Sequence, residues 1–133
     1  MALETTLQVS GAVVIGLIIG LIEMIFVHTD ERGLGWFTHA MHAFPVTIIF
    51  VFIAMNAPYV LGLLDLASNT WISIGVQVVI AIIAMIKVSG AAAITGKVGE
   101  TKFHVLIIGI LVGTSPYIWQ YGLEPILGPL IPF

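Results

Sequence analysis

The sequence predicts an all-α integral membrane protein built as a four-transmembrane-helix bundle. Of its 133 residues, 59% are hydrophobic and only 8% are charged, whereas a soluble domain carries about 25% charged residues. The mean hydropathy is +1.16. A chain of this length buries only about two-thirds of its surface on folding. The remaining apolar surface must therefore face lipid, and four spans of about 20 residues each account for it.

Four apolar segments are long enough to cross a hydrocarbon core of about 30 Å. Backbone groups in lipid must be hydrogen-bonded within the chain, and these segments lack the two-residue alternation of barrel strands, so helices are expected. The predicted spans cover about residues 9–27, 36–56, 71–90 and 103–121 of a single membrane domain, residues 1–133.

Two apolar segments are left outside the spans. Residues 57–68 are too few to cross a bilayer, and we expect a short interfacial helix there after span two. Residues 122–133 contain three of the six prolines, which predicts an extended apolar tail lying on the membrane surface or on a neighbouring subunit. Aromatic residues that fit an interfacial belt lie near the predicted span ends: Trp36, Tyr59, Trp71, Trp119 and Tyr121.

The four basic residues predict an orientation. Arg32 lies in the first loop, and Lys87, Lys97 and Lys102 lie in or beside the third. Cytoplasmic loops of membrane proteins are enriched in Lys and Arg. Loops one and three are therefore expected in the cytoplasm of a multi-pass cell-membrane protein, with both termini outside.

Composition also excludes several classes of function. The net charge is −3, there is no basic run and there is no cysteine, so nucleic-acid binding and thiolate chemistry are not expected. The third loop has Gly96-Lys97 followed by Val98, which breaks the phosphate-binding pattern and predicts no nucleotide partner. No nucleophile–base spacing is present, so we expect no catalytic activity of the chain on its own.

Two pairs of glycines predict close helix packing. Gly16 and Gly20 are four residues apart in span one, as are Gly109 and Gly113 in span four. Small residues at this spacing let two helix backbones approach each other in lipid. The favoured interpretation is packing of span one against span four, and contact with a second copy or with a foreign subunit remains open.

Two prolines lie well inside predicted spans. Pro45 is in span two and Pro116 is in span four. Each removes one helical hydrogen bond and favours a kink.

The ionisable residues within the spans lie toward one side of the membrane. At a rise of 1.5 Å per residue, Glu23 is about 7 Å inside the end of span one, and His42 is about 9 Å inside span two. A carboxylate facing hydrocarbon is costly and needs a partner. We expect a polar intramembrane layer of Glu23, His42 and Lys87, with His39 as a further candidate partner.

The four histidines of the sequence cluster on the same side as this polar layer, and the cluster has three interpretations. The first is a structural network that pairs Glu23, and the second is a proton or ion pathway. The third is a transition-metal or haem site through His39 and His42, which lie three residues apart on one helical face. Further candidate metal ligands lie on the same side: His28, Asp30 and His104.

Three functions follow from these interpretations. With so little water-facing mass, the chain is first expected to be a small integral subunit that scaffolds or stabilises a larger membrane complex, such as a respiratory or membrane-monooxygenase assembly. The alternatives are a small homo-oligomeric proton-coupled transporter or channel, and a metal- or haem-binding redox subunit. The expected partners are the lipid bilayer and other membrane subunits or further copies of the chain.

Overall fold

A computed structural model describes residues 3–30, 35–94 and 101–131, apart from the side chains of His39, His42 and residues 91–94. All regular elements in these ranges are helical, and four of the helices are long and apolar enough to cross a membrane. The all-α prediction is thus confirmed for these residues, with four helices long and apolar enough to span a membrane. The helices are α1 (Val9–Asp30), α2 (Trp36–Leu63), α3 (Thr70–Ile94) and α4 (Lys102–Ile118), and the fourth candidate span continues from α4 through the helical turns that follow it, to Leu130.

The helices pack side by side around one apolar core. Helix α1 packs against α2 and α4, whereas α3 packs chiefly against α2 and α4 and therefore stands at one edge of the bundle. The largest core side chains come from all four helices because each turns one apolar stripe inward. They include Ile15, Ile19, Val51, Met55, Ile80, Ile108 and Val112.

The glycine pair of α1 contacts α2. A Cβ atom added at Gly16 would lie 3.3 Å from Ile48, and one added at Gly20 would lie 2.9 Å from the Phe44 ring. The favoured interpretation placed this pair against span four. The structure instead packs it against the next helix in the chain, because consecutive helices joined by a short connection lie side by side.

The glycine pair of α4 contacts α3 for the same reason. Gly109 lies against the Met85 side chain, and a Cβ atom added at Gly113 would come within 2.9 Å of the Ala81 Cβ atom. The two glycine pairs therefore close two different helix–helix contacts, α1 with α2 and α3 with α4.

The close contact at Gly113 predicts a measurable loss of stability in Gly113→Ala. The added methyl group would also lie 3.2 Å from the carbonyl oxygen of Gln77, which is backbone and cannot rotate away. We expect the free energy of unfolding in an SDS titration to fall by about 1–2 kcal/mol. Gly75 of α3 has open space around it, so the matched variant Gly75→Ala should be neutral or slightly stabilising. Equal losses in both variants would contradict the packing.

Helix α2 extends further than the sequence predicts. Residues 57–63, expected in a separate interfacial helix, continue α2, and residues 64–69 form the turn into α3. In this turn Asp65 has a φ of 58°. The side-chain oxygen of Asn69 accepts hydrogen bonds from the backbone N–H groups of Trp71 and Ile72 and so caps the start of α3.

A neighbouring helix compensates for the proline that α2 passes through at this point. Pro58 has no N–H group, so it cannot donate to the carbonyl oxygen of Ala54 one turn earlier. Gln77 of α3 donates to that oxygen through its side-chain Nε2 atom at 3.0 Å. Membrane helices tolerate proline where a neighbouring side chain satisfies the freed carbonyl group, and this bond explains why α2 continues past Pro58.

At Pro116 in α4, a side chain of the same helix compensates for the missing N–H group. Its missing donor would have bonded the carbonyl oxygen of Val112, and the Ser115 hydroxyl donates to that oxygen at 2.7 Å. Three residues after Pro116 the α-helix gives way to a π-helical turn, Trp119–Leu123. Pro45 also lies inside α2, and kinks at Pro45 and Pro116 stay predictions.

The C-terminal segment is helical where an extended tail was predicted. After the π-helical turn it forms α5 (Glu124–Leu127) and a 3-10 turn (Gly128–Leu130). Pro125 and Pro129 each lie in the first turn of these elements. The backbone stays helical past both prolines, and each lies beside a change of helix type, where the regular pattern of backbone hydrogen bonds is already interrupted.

Candidate functional site

A buried histidine joins α1 to α4. The Nε2 atom of His104 lies 2.9 Å from a carboxylate oxygen of Glu23, and its Nδ1 atom lies 3.0 Å from a carboxylate oxygen of Asp30. The side-chain exposure rises from 0% at His104 to 5% at Glu23 and 13% at Asp30. We refer to these three residues as the carboxylate–histidine chain.

Helical spacing explains the alignment of the two carboxylates. Glu23 and Asp30 are seven residues apart, which is close to two turns of an α-helix, so they lie on the same face of α1. Their axial separation is about 10 Å. The imidazole of His104 fits between them and uses one ring nitrogen for each carboxylate.

The carboxylate–histidine chain also fixes the start of α4. The Thr101 backbone N–H donates to the same Asp30 oxygen at 3.0 Å, while the Thr101 hydroxyl accepts from the His104 backbone N–H at 3.4 Å. This hydroxyl caps the helix, and the Asp30 carboxylate lies where the positive end of the α4 dipole favours an anion. The C-terminus of α1 and the N-terminus of α4 are therefore linked through one carboxylate.

Both ring nitrogens of His104 are used in these contacts. Each faces a carboxylate oxygen at hydrogen-bond distance, and which nitrogen carries a proton depends on the tautomer. The buried Glu23 side chain therefore has a hydrogen-bonding partner, which reduces the cost of placing it among apolar side chains.

Packing holds the imidazole in place. The ring of Phe26 stacks on that of His104, with 5.0 Å between centroids and 24° between the planes. Ile108, one turn along α4 from His104, belongs to the apolar core. The histidine is therefore confined by one aromatic face and by its two contacts with carboxylate oxygens.

Of the other predicted site residues, the structure describes the surroundings of Lys87 and His28. Lys87 is exposed on α3, which packs chiefly against α2 and α4. His28 stacks on Trp36 with ring centroids 3.8 Å apart. The side chains of His39 and His42 lie outside the described residues, so their predicted roles, including the metal or haem site and a contact of His42 with Glu23, stay predictions.

The described side chains do not converge on a metal-binding point. Among the side chains that the structure describes, which do not include those of His39 and His42, there is no group of three or more His, Asp or Glu residues arranged to hold a metal ion. Glu23 and Asp30 bind opposite nitrogens of His104 and so face different directions. The spacing of Glu23 and Asp30, two helical turns apart, indicates that both carboxylates lie on one face of α1. An argument from depth in the membrane does not use this spacing and therefore misses it.

At the end of the bundle away from the carboxylate–histidine chain, the helices are held by hydrogen bonds between amide side chains and backbone groups. The Asn56 amide accepts from the Gln8 backbone N–H at 2.7 Å and donates to the Gln8 carbonyl at 3.2 Å. The Glu4 backbone N–H donates to the side chain of Gln120 at 3.0 Å. These contacts attach the segment before α1 to α2 and to the π-helical turn.

The carboxylate–histidine chain can thus tie two helices together through buried hydrogen bonds. Comparisons of the chain with protein families, curated proteins and solved structures find no match.

Proposed function

We propose that this chain is a small integral membrane subunit that stabilises a larger membrane protein complex, such as a respiratory or membrane-monooxygenase assembly. The observation that carries this proposal is the small buried share of each spanning helix. In an 18-residue window of each span, the share of residues buried within the chain is 39% for α1, 39% for α2, 33% for α3 and 44% for the helical segment Lys102–Leu130. More than half of the residues of every span are therefore not fully buried, and their side chains are left at least in part for lipid or for the helices of other subunits.

The carboxylate–histidine chain supports a stabilising role. Its ring nitrogens are both occupied by carboxylates, and it links the ends of α1 and α4. A pairing of this kind fixes the mutual arrangement of two helices and leaves their outward faces apolar. Such faces suit contacts with other membrane helices through close packing.

Native mass spectrometry of the endogenous protein, extracted in mild detergent or lipid nanodiscs, tests the proposal. We expect a particle that contains this 14.3 kDa chain together with other membrane proteins in fixed ratio. A particle whose mass is a small multiple of 14.3 kDa, with no other chain, would overturn the subunit proposal.

A second candidate is a small homo-oligomeric proton-coupled transporter. The observation that favours it is the buried acid–imidazole–acid arrangement, in which the fully buried His104 lies between Glu23 and the more exposed Asp30. Buried acids and histidines in membrane helices commonly carry protons.

Glu23→Gln tests the transporter candidate. The amide cannot release a proton, so proton-coupled flux into liposomes should be lost while the protein still assembles. The matched control is Glu4→Gln, which changes an exposed carboxylate and should leave flux unchanged. If Glu23→Gln retains the wild-type flux, the candidate is wrong.

The proposed orientation places loops one and three in the cytoplasm and both termini outside. The chain has no cysteine, so one introduced thiol reports on one position. Thr29→Cys, at the end of α1, should react with a membrane-impermeant maleimide only from the cytoplasmic side. Ser68→Cys, in the turn between α2 and α3, should react only from outside. The reverse labelling pattern would invert the topology.

A further inference from the structure

A small cavity lies at the end of the bundle away from the carboxylate–histidine chain. Its lining comes from the segment before α1, from α2, and from the end of α4 with the turns that follow it. Its volume, measured as the space open to the centre of a water molecule, is about 10 Å³. A cavity needs about 10–15 Å³ on this measure to hold one water molecule, so there is room for one water and for nothing larger.

A buried indole N–H lines this cavity and lacks an acceptor. Trp119 is 3% exposed, and no group among the described residues accepts a hydrogen bond from its Nε1 atom. A Cβ atom added at Gly11 of α1 would lie 2.6, 2.7 and 2.9 Å from three atoms of the ring. These similar distances place the glycine over the face of the ring, where it does not block the in-plane N–H bond. Buried polar groups are nearly always hydrogen-bonded, to protein or to ordered water.

Two acidic residues line the same cavity. Glu4 is exposed and Glu124 is partly buried. The Glu124 side chain interacts with both Glu4 and the Trp119 indole, but it does not complete a hydrogen bond to Nε1. Glu4 is held in position because its backbone N–H donates to Gln120 and its carboxylate accepts from Gln8 at 3.4 Å. One donor and two acceptors therefore border a space of the size of one water molecule.

We propose that this cavity binds one ordered water molecule, which accepts a hydrogen bond from the Trp119 indole N–H and donates one each to Glu4 and Glu124. Buried waters typically make about three hydrogen bonds, and these groups supply three. Two carboxylates repel an anion, and an indole N–H is only a donor, so it offers nothing to a cation. The water joins the segment before α1 to the end of α4, and this chain alone supplies all of its partners.

Magic-angle-spinning NMR of the full chain in lipid bilayers tests the site. The three tryptophans give three indole N–H signals, and the signal of Trp119 is the one that Trp119→Phe removes. We expect magnetisation to pass from water to the Trp119 indole proton at short mixing times, although the ring is buried. Transfer by hydrogen exchange speeds up as the pH rises, whereas dipolar transfer from a bound water does not. The measurement is therefore made at two pH values.

A matched pair of variants identifies the acceptor. Glu124→Leu keeps a side chain of similar size but leaves the water only two partners, the lower limit for a buried water, so the transfer should fall about fivefold. Glu124→Gln keeps an amide that can bond the water and should retain the transfer. Glu4→Leu, at an exposed position, removes the other acceptor and replaces Glu124→Leu if that variant does not fold.

Three outcomes contradict the proposal. Absence of transfer to the Trp119 indole in the wild type would show that the N–H is dry. Transfer that increases with pH would show exchange with bulk water and no bound molecule. Undiminished transfer in Glu124→Leu or in Glu4→Leu would show that these carboxylates do not hold the water.

Discussion

Replacing His104 by alanine is expected to lower the free energy of unfolding by about 3–5 kcal/mol, the range for removing one partner of a buried ion pair. The substitution leaves Glu23, which is 4% exposed, without the imidazole. It also removes the bond from Asp30 to the ring and opens a cavity beside Phe26. An SDS titration in mixed micelles, followed by circular dichroism, measures the loss.

Two further variants separate charge pairing from packing. His104→Phe keeps a ring of similar size against Phe26 but provides no donor, so it should remain strongly destabilised. The double variant Glu23→Leu, His104→Leu removes both members of the buried pair and should be more stable than His104→Leu alone. A His104→Phe protein as stable as the wild type would show that packing, and not pairing, holds α1 to α4.

The number and type of the helices could be predicted from the sequence. The apolar runs are long, and lipid allows few alternatives to a helix for them. Their ends were less predictable. The segment after Asn56 contains Pro58 and was separated from span two, but the bond from Gln77 to Ala54 lets α2 continue to Leu63. A compensation supplied by another helix is not visible in the local sequence.

The partners of the polar residues could be predicted only in part. Distance along each helix gave their depth and indicated that Glu23 needs a partner. Depth does not give the rotation of a helix about its axis, and helices that are apolar on most faces carry little amphipathic signal to supply it. Hence the link from Glu23 to Asp30 through His104 was missed, while the place of Lys87, which is exposed on α3, in the polar layer stays a prediction.

Replacing Gln77 by methionine is the second substitution with a large expected effect. Methionine has a similar length but no N–H donor, so the Ala54 carbonyl that Pro58 leaves without its helical partner loses its hydrogen bond as well. An unsatisfied buried acceptor costs about 1–3 kcal/mol, and no water is available in lipid to replace the donor. The same substitution removes the Gln77 Oε1 atom, which is buried without a hydrogen-bond partner, so we expect a net fall of about 1–2 kcal/mol in the free energy of unfolding.

A double-mutant cycle identifies the cause of this loss. Pro58→Ala restores a backbone N–H that can donate to the Ala54 carbonyl within α2. If Gln77 acts by bonding that carbonyl, Gln77→Met should cost much less in the Pro58→Ala background than in the wild type, with a coupling energy of about 1–2 kcal/mol. Additive effects of the two substitutions would mean that Gln77 stabilises the bundle through packing alone. The cycle therefore asks whether the proline in α2 and the glutamine in α3 work as one unit.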